Sequence, residues 1–136
     1  MRRRGLSKRV PGKNAPRPAK RLGVDLVEFK KAKAFYGEHR NRLDTFFDGG
    51  EIRLIRQARR PYESLALLLA AKEAVFKSLG EPWMGPEGFR KIRIFSRKNR
   101  ELSFRLKGNF KKHPMRRPAP ALFFLKSKDY VVAGCR

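Results

Sequence analysis

Apolar positions change their spacing several times along the chain, and each change marks an element. From Leu22 to Val27 the apolar residues Leu22, Val24, Leu26 and Val27 read as a short buried strand. Residues 29–40 shift to helical spacing, with Phe29, Ala32 and Phe35 or Tyr36 on one side and Lys30, Lys31 and Lys33 around the other. Gly49-Gly50 reads as a break, followed by a second helix from Glu51 to about Arg59. The strongest helical signal runs from Pro61 to Leu79. Leu65, Leu68, Leu69, Val75, Phe76 and Leu79 form its apolar stripe, and Gly80 supplies the stop. After the turn-rich stretch 81–86 come two strands, Lys91–Phe95 and Leu102–Leu106, joined by Arg97-Lys98-Asn99-Arg100. A basic, proline-bearing segment fills 107–120, and Ala121–Leu125 with Tyr130–Ala133 reads as a closing hairpin. Helices interrupting and then followed by strands predict an α+β domain, a small mostly antiparallel sheet with one long helix packed on it.

Composition changes this picture in one respect. A chain of 136 residues, 40% apolar with eleven Phe, is sized for one domain with a modest core. Its 35 Lys+Arg against 12 Asp+Glu give a net charge of +23. Nine of those cations lie in residues 1–21, which hold no acid and carry Pro11, Pro16 and Pro18. Residues 1–20 are therefore expected to be a disordered basic tail, ahead of a domain over 21–136. Subtracting the nine still leaves the remainder at +14, so the body is basic as well. Such a surface attracts nucleic acid, anionic membrane or an acidic protein. The single cysteine, Cys135, excludes an intramolecular disulfide and fits a reducing, cytoplasmic setting. No apolar run approaches the roughly 18 residues of a membrane span, and the basic N-terminus is not followed by a signal-peptide core.

The candidate chemistry sits in two short segments, Gly23-Val24-Asp25-Leu26-Val27-Glu28 and Ala71-Lys72-Glu73-Ala74-Val75-Phe76-Lys77-Ser78-Leu79-Gly80. On a helix, Ala66, Ala70, Glu73 and Lys77 share one face, and the two alanines predict a shallow surface that a ligand can approach. Glu73 offers a hard oxygen ligand with a mobile ammonium beside it, and Asp25 a second carboxylate. One or two carboxylates, completed by waters and substrate phosphates, suit magnesium. The same residues also fit an ordinary i,i+4 ion pair and a strand-end aspartate.

Taken together, Gly23-Val24-Asp25 with Leu-Val-Glu, followed about 45 residues on by Ala-Ala-Lys-Glu-Ala-x-x-Lys-Ser-Leu-Gly, resembles the 4'-phosphopantetheinyl transferases, in particular the short holo-acyl-carrier-protein synthase type. Glu51, after Phe46-Phe47, is similar to an acidic position of that family, and Lys128–Ala133 resembles its closing strand. The resemblance implies the family fold and transfer of the phosphopantetheine arm of coenzyme A to a serine of an acidic acyl carrier protein. Adenosine 3',5'-bisphosphate is released and Mg2+ is used. It implies that Asp25 and Glu73 hold the metal, that Lys77 neutralises the phosphate under attack, and that Glu73 is the candidate for taking the serine proton. Arg59 and Arg60 stand where the family holds nucleotide phosphates, and Lys30 and Lys31 where it meets the carrier. A homotrimer with sites between subunits is also implied.

Two positions depart from the family pattern. Leu68 stands where an arginine is usual, and the histidine ahead of the closing strand is missing, leaving Lys126 as a point charge and Ser127 as a hydroxyl to bind coenzyme A phosphate. His39 and His113 are not obvious replacements. These departures leave a second reading, in which a weakened homologue serves as a basic RNA- or ribosome-binding module through its tail and Lys111–Arg117.

Overall fold

The structure, a computed structural model, describes residues 21–80, 85–98, 100–108 and 121–136. The expected basic tail over 1–20, the turn residues 81–84 and the basic segment 109–120 with His113 lie outside the described residues. In chain order the elements are β1 (Gly23–Glu28), α1 (Phe29–His39), a 3-10 turn (Leu43–Thr45), α2 (Gly49–Gln57), α3 (Pro61–Leu79), α4 (Pro86–Arg90), β2 (Ile92–Ser96), β3 (Leu102–Leu106), β4 (Leu122–Lys126) and β5 (Tyr130–Cys135). The strands form two antiparallel sheets instead of one, a three-stranded sheet ordered β1-β5-β4 and the β2-β3 hairpin.

Helix α3 is the core of the molecule. Pro61 opens it, where a missing N–H costs nothing, and Gly80 closes it at φ 70 in the left-handed region. Leu65, Ala66, Leu68, Ala70, Ala71, Ala74, Val75 and Phe76 are all buried along it. Ala66 and Ala70, expected to leave a shallow ligand face, are fully buried; their small side chains serve close packing instead. Gly23 carries that closeness to its limit. A Cβ there would collide with the Ala74 carbonyl oxygen and come within 2.7 Å of Ser78 N, so only glycine lets β1 lie this near α3.

Two expectations need correcting. Strand β1 is not buried on both faces: Leu22, Val24 and Leu26 are 58%, 43% and 50% exposed. Pairing registers explain this. Val24, Gly134 and Phe123 align across the sheet, as do Leu26, Val132 and Leu125, and these rows face away from α3. The alternate rows, Asp25-Ala133-Phe124 and Val27-Val131-Lys126, face the helix. Gly49-Gly50 likewise does not break the chain but forms the first turn of α2. Asp48 Oδ1 accepts from Glu51 N at 2.9 Å and Glu51 Oε1 accepts from Asp48 N at 3.0 Å, a capping box that holds the two glycines in the helix.

Candidate active site

Asp25 lies on the inner row of β1, and α3 presents Glu73 and Lys77 to it. Lys77 Nζ donates to Asp25 Oδ1 and to the Val24 carbonyl, both at 3.0 Å. The expected Glu73–Lys77 ion pair is thus replaced by one across the strand–helix junction. Among the described residues no hydrogen bond or ion pair reaches the Glu73 carboxylate. Burial, and then the negative charge of Asp25, push its pKa above the ordinary glutamate value, and Lys77 only partly offsets them. Two carboxylates in mutual repulsion, one of them unpaired, form a hard-oxygen donor set that a divalent cation would relieve. No third His, Cys, Asp or Glu among the described residues joins them to make a larger cluster. A magnesium ion there would draw its remaining ligands from water and substrate phosphates, and the donor set fits that requirement.

The other end of α3 carries cations. Arg59, Arg60 and Lys126 line an open cleft of about 470 Å³ with Phe29, Glu63, Ser64, Leu67 and Phe124. Glu63 organises it: Oε2 accepts from Lys126 Nζ at 2.6 Å and Oε1 from Arg60 Nη1 at 3.3 Å. The Lys126 hydrogen bond is the largest influence on the Glu63 carboxyl and, with help from Arg60, holds it below its ordinary range against the upward push of burial. A second opening of about 720 Å³ shares Phe29, Arg60 and Glu63 and adds Lys30, Lys33, Lys128 and Tyr130. Lys31 stays outside both openings and reaches only Glu28, at 4.0 Å and well exposed, which contributes little. Ser127 is engaged elsewhere: Oγ accepts from Asp129 N at 3.3 Å and Tyr130 N at 3.2 Å in the β4–β5 turn. Leu68 is 4% exposed, so the position of the usual arginine belongs to the core. His39 packs edge-on or tilted against Phe35 and Phe46, far from a phosphate-binding role.

Lys72, which the sequence pattern did not single out, is the most constrained polar residue. Its side chain and that of Glu51 are both fully buried. Lys72 Nζ donates to Glu51 Oε1 at 2.8 Å, to the Phe89 carbonyl at 2.7 Å and to the Phe46 carbonyl at 3.2 Å. Glu51 Oε2 accepts from Ile94 N at 3.0 Å. All three ammonium hydrogens are used, so α3 is pinned to α2, to α4 and to β2 immediately beside Glu73. Glu51 thus has a structural place rather than one in the carboxylate pair. Partners 21 residues apart leave no local signal, although the capping box does mark Glu51 in the sequence.

Residues 21–135 match the family model of the 4'-phosphopantetheinyl transferase superfamily. The chain belongs to this superfamily. Among curated members, the holo-[acyl-carrier-protein] synthase of Wolinella succinogenes is 38% identical over 94 residues, covering 65% of this chain and 76% of that protein. The same-named protein of Clostridium kluyveri is 38% identical over 64 residues, 47% of this chain and 48% of that one, so the chain spans about half the length of that relative. In fold, the superfamily likeness is close. The crystal structure of Helicobacter pylori holo-[acyl-carrier-protein] synthase in complex with coenzyme A aligns with a TM-score of 0.71 at 20% identity, covering 84% of this chain and 96% of that one.

Proposed function

We propose that this phosphopantetheinyl transferase is a cytoplasmic holo-[acyl-carrier-protein] synthase, moving the phosphopantetheine arm of coenzyme A to a serine of an acidic acyl carrier protein. The observation that carries the reading is the apposition of Asp25, Glu73 and Lys77 across the β1–α3 junction, with Lys77 Nζ 3.0 Å from Asp25 Oδ1. Asp25 and Glu73 would hold Mg2+, which when bound would neutralise charge on the pyrophosphate. The serine oxygen forms its bond to phosphorus as the bond to adenosine 3',5'-bisphosphate breaks. Glu73, whose raised pKa suits a proton acceptor, takes the serine proton. Lys77, its side chain half exposed, is free to leave Asp25 and follow the charge on the transferring phosphate.

Arg59, Arg60 and Lys126 bind the nucleotide phosphates, with Lys126 supplying the charge of the missing histidine. Glu63 to Glu73 is ten residues of one helix, about 15 Å at 1.5 Å per residue. That length separates the cationic cleft from the carboxylates, so a complete site joins one copy's carboxylates to another copy's cleft. The row of exposed apolar side chains on the outer sheet face (Val24, Leu26, Phe123, Leu125) supports such an assembly, a homotrimer. Lys30 and Lys31 on α1 receive the acidic carrier, where charge complementarity raises the rate of encounter.

Incubation with coenzyme A, Mg2+ and an apo carrier, followed by intact-mass spectrometry of the carrier, tests the activity. A carrier heavier by one phosphopantetheine is expected; unmodified carriers of every acidic type tried would refute the reading.

A further inference from the structure

The β2–β3 hairpin takes no part in either end of the proposed site. Its inner face, with Ile92 and Ile94 buried and Leu102, Phe104 and Leu106 packed against the core, fastens it to the body. The outer face and tip differ in kind. Register sets Arg93 directly opposite Arg105 and Phe95 opposite Ser103. Like charges facing one another across an antiparallel pair are destabilising. Of these two arginines Asp48, which also pairs with Lys107 at 3.3 Å, draws off Arg93, through Nε at 3.1 Å, and not Arg105. Arg105 is exposed and sits over the Phe95 ring, 5.4 Å from its centroid.

At the tip Arg97, Lys98 and Arg100 are exposed and pair with no described acid; Glu101 is the only acidic residue of the hairpin. Backbone bonds fix the turn, Arg97 N to the Glu101 carbonyl and Arg100 N to the Arg97 carbonyl, both at 2.8 Å. Arg100 has φ 65, a conformation where glycine is usual and a long side chain is disfavoured. Charge repulsion and backbone strain are therefore both tolerated on a hairpin that carries five cations and the Phe95 ring, none of which the transfer reaction requires.

We infer that this hairpin is a binding surface for single-stranded nucleic acid, with phosphates held by Arg97, Lys98 and Arg100 and an unpaired base stacked on the Arg105–Phe95 pair. The ring decides between polyanions. A planar guanidinium lying over an aromatic ring is a stacking platform for a base. An acidic protein has no base to place there, and a duplex keeps its base faces inside the stack.

Fluorescence anisotropy of the full chain with a labelled single-stranded oligoribonucleotide, its deoxy counterpart and the corresponding duplex, each titrated against salt, tests this. Both single strands should bind more tightly than the duplex. R97E/K98E/R100E should weaken single-strand binding at least about tenfold and lower the salt slope by about two, since each phosphate contact on a single strand contributes about 0.7. F95S should weaken it about five- to a hundredfold with the slope unchanged. If F95S disturbs the hairpin, R105Q on the exposed outer face provides the same comparison. Phosphopantetheine transfer should be unaffected by the tip variant, which separates this inference from the proposed activity. Tip reversal that leaves affinity and slope within about twofold of the parent would overturn it. So would duplex and heparin binding as tightly as single strands with F95S and R105Q silent.

Discussion

Burial and the Asp25 carboxylate both disfavour the charged form of Glu73, and no described hydrogen-bond donor compensates it. Its folded-state pKa is raised, so the folded protein binds the proton more tightly than the unfolded chain does. The resulting stability is fully present below the ordinary glutamate range and is lost as pH rises through the raised value. Glu73→Gln should therefore raise the melting temperature of the metal-free protein at neutral pH and match the parent near about pH 4, while abolishing transfer; calorimetry across pH checks the first part. Lys72 presents the opposite case, a buried charge with every donor used. Lys72→Met should cost about 3–5 kcal/mol by leaving Glu51 buried and unpaired, and K72M/E51L should recover most of that loss in urea melts. Asp25, Glu73 and Lys77 were legible from their spacing and from the resemblance. The Lys72–Glu51 pair was not, because its partners come together only when α2 and α3 pack.

Among the elements, α3 was the clearest in sequence because both its ends carry backbone signals, Pro61 at the start and Gly80 at the stop. Strand β1 was misjudged on burial: its more apolar row, Leu22, Val24 and Leu26, is the exposed one, while the row that meets the helix carries Gly23, Asp25 and Val27. Asp25 marks the inner face only once Glu73 is known to lie opposite. Helix α4 is five residues long and too short for a periodic signal. The junction of β1 with α3 depends on Gly23 as much as on any side chain. Gly23→Ala should force the two backbones apart, destabilise the protein by about 1–3 kcal/mol and reduce transfer further than that loss explains, since Asp25 rides on the displaced strand. Parallel measurement of thermal stability and of transfer at a temperature where the variant remains folded separates the two effects.

For the whole molecule, the sequence indicated a strongly basic α+β domain, and the fold bears this out with two small sheets around one helix. What no sequence pattern displayed is the distance along α3 between the carboxylates and the cationic cleft, on which the proposed sharing of a site between copies rests. Leu26→Asp or Leu125→Asp, placed in the exposed apolar rows, should shift the protein to monomers in sedimentation equilibrium and remove transfer while the monomer keeps its helical circular dichroism. The most direct measurement uses two inactive variants with complementary defects, Asp25→Asn at the carboxylates and R60E/K126E in the cleft. Each alone, and the two co-expressed, are given coenzyme A, Mg2+ and apo carrier, and the carrier is weighed. The parent should add one phosphopantetheine, each variant alone none, and the co-expressed pair a substantial fraction of the parent's yield. A parent that leaves the carrier mass unchanged, or a mixed assembly as inactive as its components, would contradict a transferase site shared between copies.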